Sequence, residues 1–159
     1  MYLSKINLFL VISICLIFFF LTFYDVKSYE VKIIDGDTIK LNGEKIRFSG
    51  IDTPELKQTC SINNEIIFCG IEAKRLLVDK IASNEIKCIS EGKDQYKRTL
   101  AECFVNDLSL SSYLVKNGYA FAYRKYSKKF IADEDFARSN NLGIWSMKFE
   151  YPWDWRKKN

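Results

Sequence analysis

Two hydrophobic patterns divide the chain. From Ile6 to Tyr24 apolar residues run almost unbroken, interrupted by Asn7, Ser13 and Thr22. Beyond Tyr29 they alternate or recur at helical spacing. Val31 and Ile33, Ile39 and Leu41, and Ile46 and Phe48 keep the period of two expected of half-buried strands. Arg47 therefore falls on the face opposite Ile46 and Phe48. Asn42-Gly43 predicts a two-residue hairpin turn, because both positions tolerate positive φ. Glu85 to Ser90 and Thr99 to Val105 read as two further strands joined by a polar turn from Glu91 to Arg98. Between these runs, Ala73, Leu76, Leu77 and Ile81 share one face of a helix over 71–82. Ser109 can N-cap a second helix from Leu110 to Asn117, with Gly118 just past its end. A third covers 131–141, with Asp133, Glu134 and Asp135 early, where the helix dipole favours them. Leu56 to Gly70 reads as a loop by composition. Five strands with about three short helices predict an α+β fold on a closed or nearly closed five-stranded β-barrel of the OB type.

The apolar run sets residues 1–28 apart as a targeting segment. Lys5 is a short positive region, and Val26 and Ser28 suit a cleavage site before Tyr29. The run also approaches the ~20 residues of a membrane span, so an uncleaved anchor is the alternative. Residues 29–146 then form the folded domain and 147–159 a tail carrying Trp153, Trp155 and a basic end. Formal net charge is +4. Without residues 1–28, which hold Lys5, Lys27 and Asp25, 22 basic residues face 19 acidic ones. That mild excess is compatible with a polyanionic partner.

Chemistry enters with the absence of histidine. It excludes Ser-His-Asp and Cys-His catalysis and histidine-ligated zinc. What remains is concentrated between residues 35 and 55: the carboxylates Asp35, Asp37, Asp52 and Glu55, with Arg47 among them. The Asn42-Gly43 turn folds this stretch back so that Asp37 and Asp52 meet at the open end of a hairpin. Two carboxylates brought together repel unless a cation or a proton stands between them. An all-oxygen ligand set suits a hard cation, Ca²⁺ or Mg²⁺. Asp35 reads as structural.

Apart from Cys15, four cysteines remain, and they allow three pairings. Cys60–Cys69 would close a short loop. Cys88–Cys103 would join two strands whose turn is centred between Gln95 and Tyr96. An exported chain with an even count favours disulfides. The spacings lack the pattern of a four-cysteine zinc site.

Taken together, Asp35-Gly-Asp-Thr38, Ile46-Arg47-Phe48 and Gly50-Ile-Asp-Thr-Pro-Glu55 resemble the central signature of the staphylococcal nuclease-like, or thermonuclease, family. Asp94-Gln-Tyr-Lys-Arg98-Thr-Leu-Ala resembles its second signature, in which glycine usually stands at the position of Lys97. Asn117-Gly-Tyr-Ala120 and Asn141-Leu-Gly-Ile-Trp145 resemble its closing segments. The cysteines fit the exported branch. The resemblance implies an OB-fold, Ca²⁺-dependent endonuclease that cuts DNA and RNA to leave 3′-phosphate ends. It implies Asp37, Asp52 and the Thr53 carbonyl as metal ligands, Glu55 as general base, Arg47 and Arg98 on the phosphate, and Tyr96 at the nucleotide. A second tyrosine of that site would lie within Tyr119–Tyr126. The expected protein is a monomer, secreted or periplasmic, touching a membrane only through an uncleaved residues 1–28.

Two other readings compete. Asp37 with Glu55-Leu-Lys57 mimics the pattern of Mg²⁺-dependent restriction-type nucleases, which needs Glu55 and Lys57 on a strand. A non-catalytic OB module that binds nucleic acid or a protein is the second, although it would not need the full charged set.

Overall fold

The computed structural model describes residues 29–159. The expectations placed on residues 1–28, a cleaved signal or a membrane anchor, lie outside them. Among the described residues, no helix is long and apolar enough to cross a membrane.

Strands β1 (Val31–Ile33), β2 (Thr38–Leu41) and β3 (Glu44–Phe48) form an antiparallel meander. Asn42 and Gly43 both take positive φ at the β2–β3 turn, as their sequence predicts. β4 (Ile51–Asp52) follows directly. After the hairpin β5 (Thr59–Ile62) and β6 (Glu65–Phe68) comes helix α1 (Cys69–Ile81). β7 (Lys87–Lys93) and β8 (Thr99–Val105) make a long hairpin, and β8 lies parallel to β3, with Arg47 opposite Leu100. The chain ends with β9 (Leu108–Ser109), α2 (Leu110–Lys116), β10 (Phe121–Ala122), α3 (Ile131–Ser139), a 3-10 turn (Gly143–Ser146) and α4 (Pro152–Lys158).

The main sheet runs β1-β2-β3-β8-β7, with β9 beside β8. The mixed α+β class and five-stranded path agree with the sequence reading. Closure does not: among the described residues, the edge strands β1 and β7 are not paired with each other. β1 is only three residues long, and α1 packs against it. The stretch expected to be a loop holds the β5–β6 hairpin. Asn63 and Asn64 both take positive φ at its turn, a conformation asparagine tolerates better than most residues. A fourth helix, α4, stands where a plain tail was expected.

The core joins Ile39, Ile46, Phe48, Ala101 and Val105 of the sheet to Leu77, Leu110 and Leu114 of the helices. A second cluster gathers Cys60, Cys69, Phe121 and Ile144 under Trp145, Phe149, Tyr151 and Trp153. The tail is thus packed onto the body. Ser61 and Lys148 exchange two backbone hydrogen bonds of 2.9 and 2.8 Å. Trp153 lies between Tyr151 and Tyr123, stacked on both within about 11° of parallel. Cys60–Cys69 and Cys88–Cys103 are both bridged. Cys88 and Cys103 sit directly opposite each other in the hairpin. Disulfides persist in oxidising compartments, so these two point to one.

Candidate active site

Three short backbone segments bring the charged residues together. Asp37 stands just before β2, in a turn where its own N–H donates to Asp35 Oδ1 at 3.1 Å. Asp35 is therefore structural, holding the turn. Gly36 is required by close approach: a Cβ there would come within 2.9 Å of Thr53 Oγ1 and 3.0 Å of Ala73 Cβ. Register places Thr38 opposite Arg47, so the Arg47 side chain rises beside Asp37. Asp52 ends β4, opposite Phe121 of β10. β10 is pinned in turn by the buried Glu134 of α3, which accepts from the Ala122 N–H at 2.9 Å.

Arg47 bridges the two aspartates, donating from one nitrogen to Asp37 and from the other to Asp52 Oδ1 at 2.8 Å. Asp37 Oδ2 accepts from both Thr53 N and Thr53 Oγ1 at 3.0 Å, and Oδ1 also accepts from Thr38 Oγ1. Asp37 is 2% exposed and Asp52 0%. Burial pushes the Asp37 carboxyl up to about 6, against the pull of the Arg47 guanidinium. Burial likewise opposes the charge on Arg47, but Asp37 and Asp52 outweigh it and hold the guanidinium more firmly protonated than usual.

Glu55 lies at the rim, its side chain 40% exposed. Residues 55–58 form a turn in which the Gln58 N–H donates to the Glu55 carbonyl at 2.8 Å. Glu55 and Lys57 are thus not on a strand, and the restriction-type pattern loses its structural basis. The turn rests on Gly70 at the start of α1, where a Cβ would meet the Glu55 carbonyl oxygen at 2.0 Å.

Arg98 and Tyr96 form a separate group on the β7–β8 turn. Arg98 Nε donates to Asp94 Oδ2 at 2.7 Å, and the guanidinium lies 5.5 Å from the Tyr96 ring centre. Among the described residues, Arg98 makes no hydrogen bond to Asp37, Asp52 or Glu55. Lys97 takes φ 63°, a conformation that favours glycine. This gives a physical reason for the glycine usual there in the resembling family. In the stretch Tyr119–Tyr126, Phe121 is buried and Tyr123 is stacked against Trp153, so packing occupies both.

Two residues at the site escaped the sequence reading. Gln58 is fully buried and clamps the Glu55 turn to the tail. Its Oε1 accepts from the Glu55 N–H at 3.2 Å and its Nε2 donates to the Glu150 carbonyl at 2.7 Å. Arg156 of α4 donates to Asp52 Oδ2 at 2.6 Å, Asp52 Oδ1 at 3.2 Å and Glu55 Oε1 at 2.8 Å. Burial opposes its charge, yet Asp52 and Glu55 raise it well above the ordinary arginine value. Neither residue stands in a motif, and contacts about a hundred positions apart leave no local signal. A cleft of about 620 Å³ opens beside this end of the molecule, lined by Tyr123, Arg124, Arg138, Trp145, Tyr151 and Lys157.

Comparisons with known proteins bear on this arrangement. The model of the family described as Staphylococcal nuclease homologue matches residues 45–147. A probable staphylococcal-like nuclease of Oryza sativa subsp. japonica is 32% identical over 84% of this chain, which spans only 34% of that protein. The chain thus covers about a third of that relative's length. A micrococcal nuclease of Shigella flexneri is 30% identical, over 84% of this chain and 82% of its own length. An endonuclease of Bacillus subtilis is 34% identical over 72% of this chain and 59% of its own. With a family match that takes in Arg47, Asp52, Glu55 and Arg98, the chain belongs to the staphylococcal nuclease family.

Proposed function

We propose that this protein is a Ca²⁺-dependent endonuclease that hydrolyses phosphodiester bonds in DNA and RNA and leaves 3′-phosphate ends. The observation that carries the reading is the cluster itself: two buried carboxylates joined through Arg47, with Glu55 held beside them through a shared arginine. Relatives named as nucleases support the reaction class. The two disulfides support an exported protein.

Asp37, Asp52 and the Thr53 carbonyl are the proposed cation ligands. Their fit rests on the donor set, which is all oxygen, and on the burial of the Asp37 and Asp52 carboxylates side by side. Among the described residues, no group of three or more acidic or cysteine side chains is placed to hold a metal ion, so the remaining ligands of such a cation would come from backbone, water and substrate. When bound, the cation would supply Lewis-acid stabilisation of the anionic phosphate.

The chain's own residues do the rest. Arg47, already oriented by both aspartates, donates to a phosphate oxygen, and that bond strengthens as charge builds in the transition state. Arg98 does the same from the β7–β8 turn, with Tyr96 beside it against the nucleotide. Glu55 takes a proton from the attacking water. The water oxygen bonds to phosphorus as the bond to the 5′-oxygen breaks, and the leaving oxygen gains a proton from solvent. The phosphate stays on the 3′ side. Half-exposure suits Glu55 to this role, because a base must reach both water and solvent.

Incubation of the purified protein with plasmid DNA and with RNA tests the proposal. Degradation with added Ca²⁺, abolished by EGTA, is expected. DNA and RNA that stay intact in Ca²⁺ while still being bound would identify the non-catalytic OB module instead.

A further inference from the structure

Every oxygen that Asp52 offers is taken by a guanidinium. Oδ1 accepts from Arg47 at 2.8 Å and Arg156 at 3.2 Å, and Oδ2 accepts from Arg156 at 2.6 Å. Arg156 also holds Glu55 Oε1. One side chain of α4 thus engages both a proposed cation ligand and the proposed general base. A carboxylate oxygen aimed at a guanidinium 2.6 Å away leaves no room for a cation on the same lone pair, because ligand distances for Ca²⁺ are about 2.3–2.6 Å. A cation seated on that lone pair needs the Arg156 guanidinium to move aside, and the two like charges repel at that distance.

We propose that Arg156 is a built-in competitor for the cation: it neutralises Asp52 and Glu55 until a cation displaces it. The inference rests on the cation site of the proposed function and adds how that site is controlled.

Three features support it. Asp37 and Asp52 are both buried and share the single guanidinium of Arg47, so a second positive group is needed to balance the pair when no cation is bound, and Arg156 supplies it. Arg156 is 37% exposed, so its side chain has solvent to swing into. Its backbone is anchored independently of the salt bridge, through the Trp153 stack, the Gln58–Glu150 hydrogen bond and the Ser61–Lys148 pairing. Displacement therefore asks for a side-chain movement and not for the tail to leave. It also frees Glu55, so the same event would open the ligand and the base together. Arg156 lies beyond residues 45–147, the span that matches the family.

The test is calorimetric titration of Ca²⁺ into wild type, Arg156→Ala and Arg156→Gln, without nucleic acid. Far-ultraviolet circular dichroism checks that each variant is folded. Losing charge-assisted bonds that the cation otherwise has to break should tighten Ca²⁺ binding by about tenfold or more in both variants. Calcium binding that is measurable only in the variants would support the proposal equally. Equal or weaker affinity in a folded variant overturns it while leaving the cation site standing. No binding in any of the three proteins overturns the cation site and this inference together.

Discussion

Asp37 should make the cation-free protein less stable as pH rises, the opposite of the usual behaviour of a salt-bridged carboxylate. Burial lifts its pKa from the ordinary 3.8 to about 6, despite Arg47 and the two hydrogen bonds from Thr53. A raised folded-state pKa means that the folded protein binds the proton more tightly than the unfolded chain between those two values. The group costs nothing below pH 3.8, costs progressively more as pH rises through 6, and carries its full penalty above that. At about 1.4 kcal/mol per unit, the full penalty is about 3 kcal/mol. Asp37→Asn removes the titration, although it also removes acceptors that Thr53 and Arg47 use. That loss is a constant offset, so the informative quantity is the change with pH. Urea unfolding of both proteins in EGTA, from pH 4 to 7.5, should show the variant gaining about 2.5 kcal/mol on wild type across the range, the first part of the penalty being present already at pH 4. Saturating Ca²⁺ should shrink that gain, because a cation favours the ionised carboxylate. A difference that stays flat with pH, or one that moves in favour of wild type, would mean that Arg47 and not burial governs Asp37.

Three further substitutions probe the supports of the site. Gly70→Ala drives a methyl group into the backbone of the Glu55 turn and should cost about 3 kcal/mol in urea unfolding, with a loss of Ca²⁺-dependent cleavage; unchanged stability would refute the close packing of that turn on α1. Lys97→Gly relieves a left-handed backbone and should raise stability by about 1 kcal/mol, with a drop contradicting the strain argument. Cys88→Ala should lower the melting temperature under oxidising but not reducing conditions, by the equivalent of ~2–4 kcal/mol. Equal lowering in both would mean that the bridge contributes nothing.

Local rules carried much of the architecture. Asn42-Gly43 fixed the β2–β3 hairpin, and the alternation around Arg47 put its side chain on the face where Asp37 waits. Ser109 caps α2 by accepting from the Ser112 N–H, as its position foretells. The symmetric spacing of Cys88 and Cys103 about their turn gave their pairing. The β5–β6 hairpin was missed because its turn, Asn63-Asn64, lacks glycine, and Ile66 and Phe68 on it are exposed. α4 has Pro152 at its start and basic residues at its end, signals visible in the sequence, but at seven residues it is too short for a helical period to stand out. Its role was illegible for a stronger reason. Arg156 reaches Asp52 across 104 positions, brought there by the aromatic packing of Tyr151 and Trp153, the Gln58–Glu150 hydrogen bond and the Ser61–Lys148 pairing. The choice between a closed and a nearly closed barrel was not legible, because strand counting says nothing about whether edges meet.

The most direct test of the reaction centre is the single-turnover cleavage rate of Glu55→Gln on a defined DNA strand, with Ca²⁺ occupancy measured on the same sample. Gln keeps the size of Glu and can still accept from Arg156, so the fold and the cation ligands should survive while the base is lost. Full occupancy with a rate lowered by about a hundredfold or more, and 3′-phosphate ends on the residual product, is the predicted result. A wild-type rate at full occupancy would remove Glu55 from the chemistry and contradict the proposed centre.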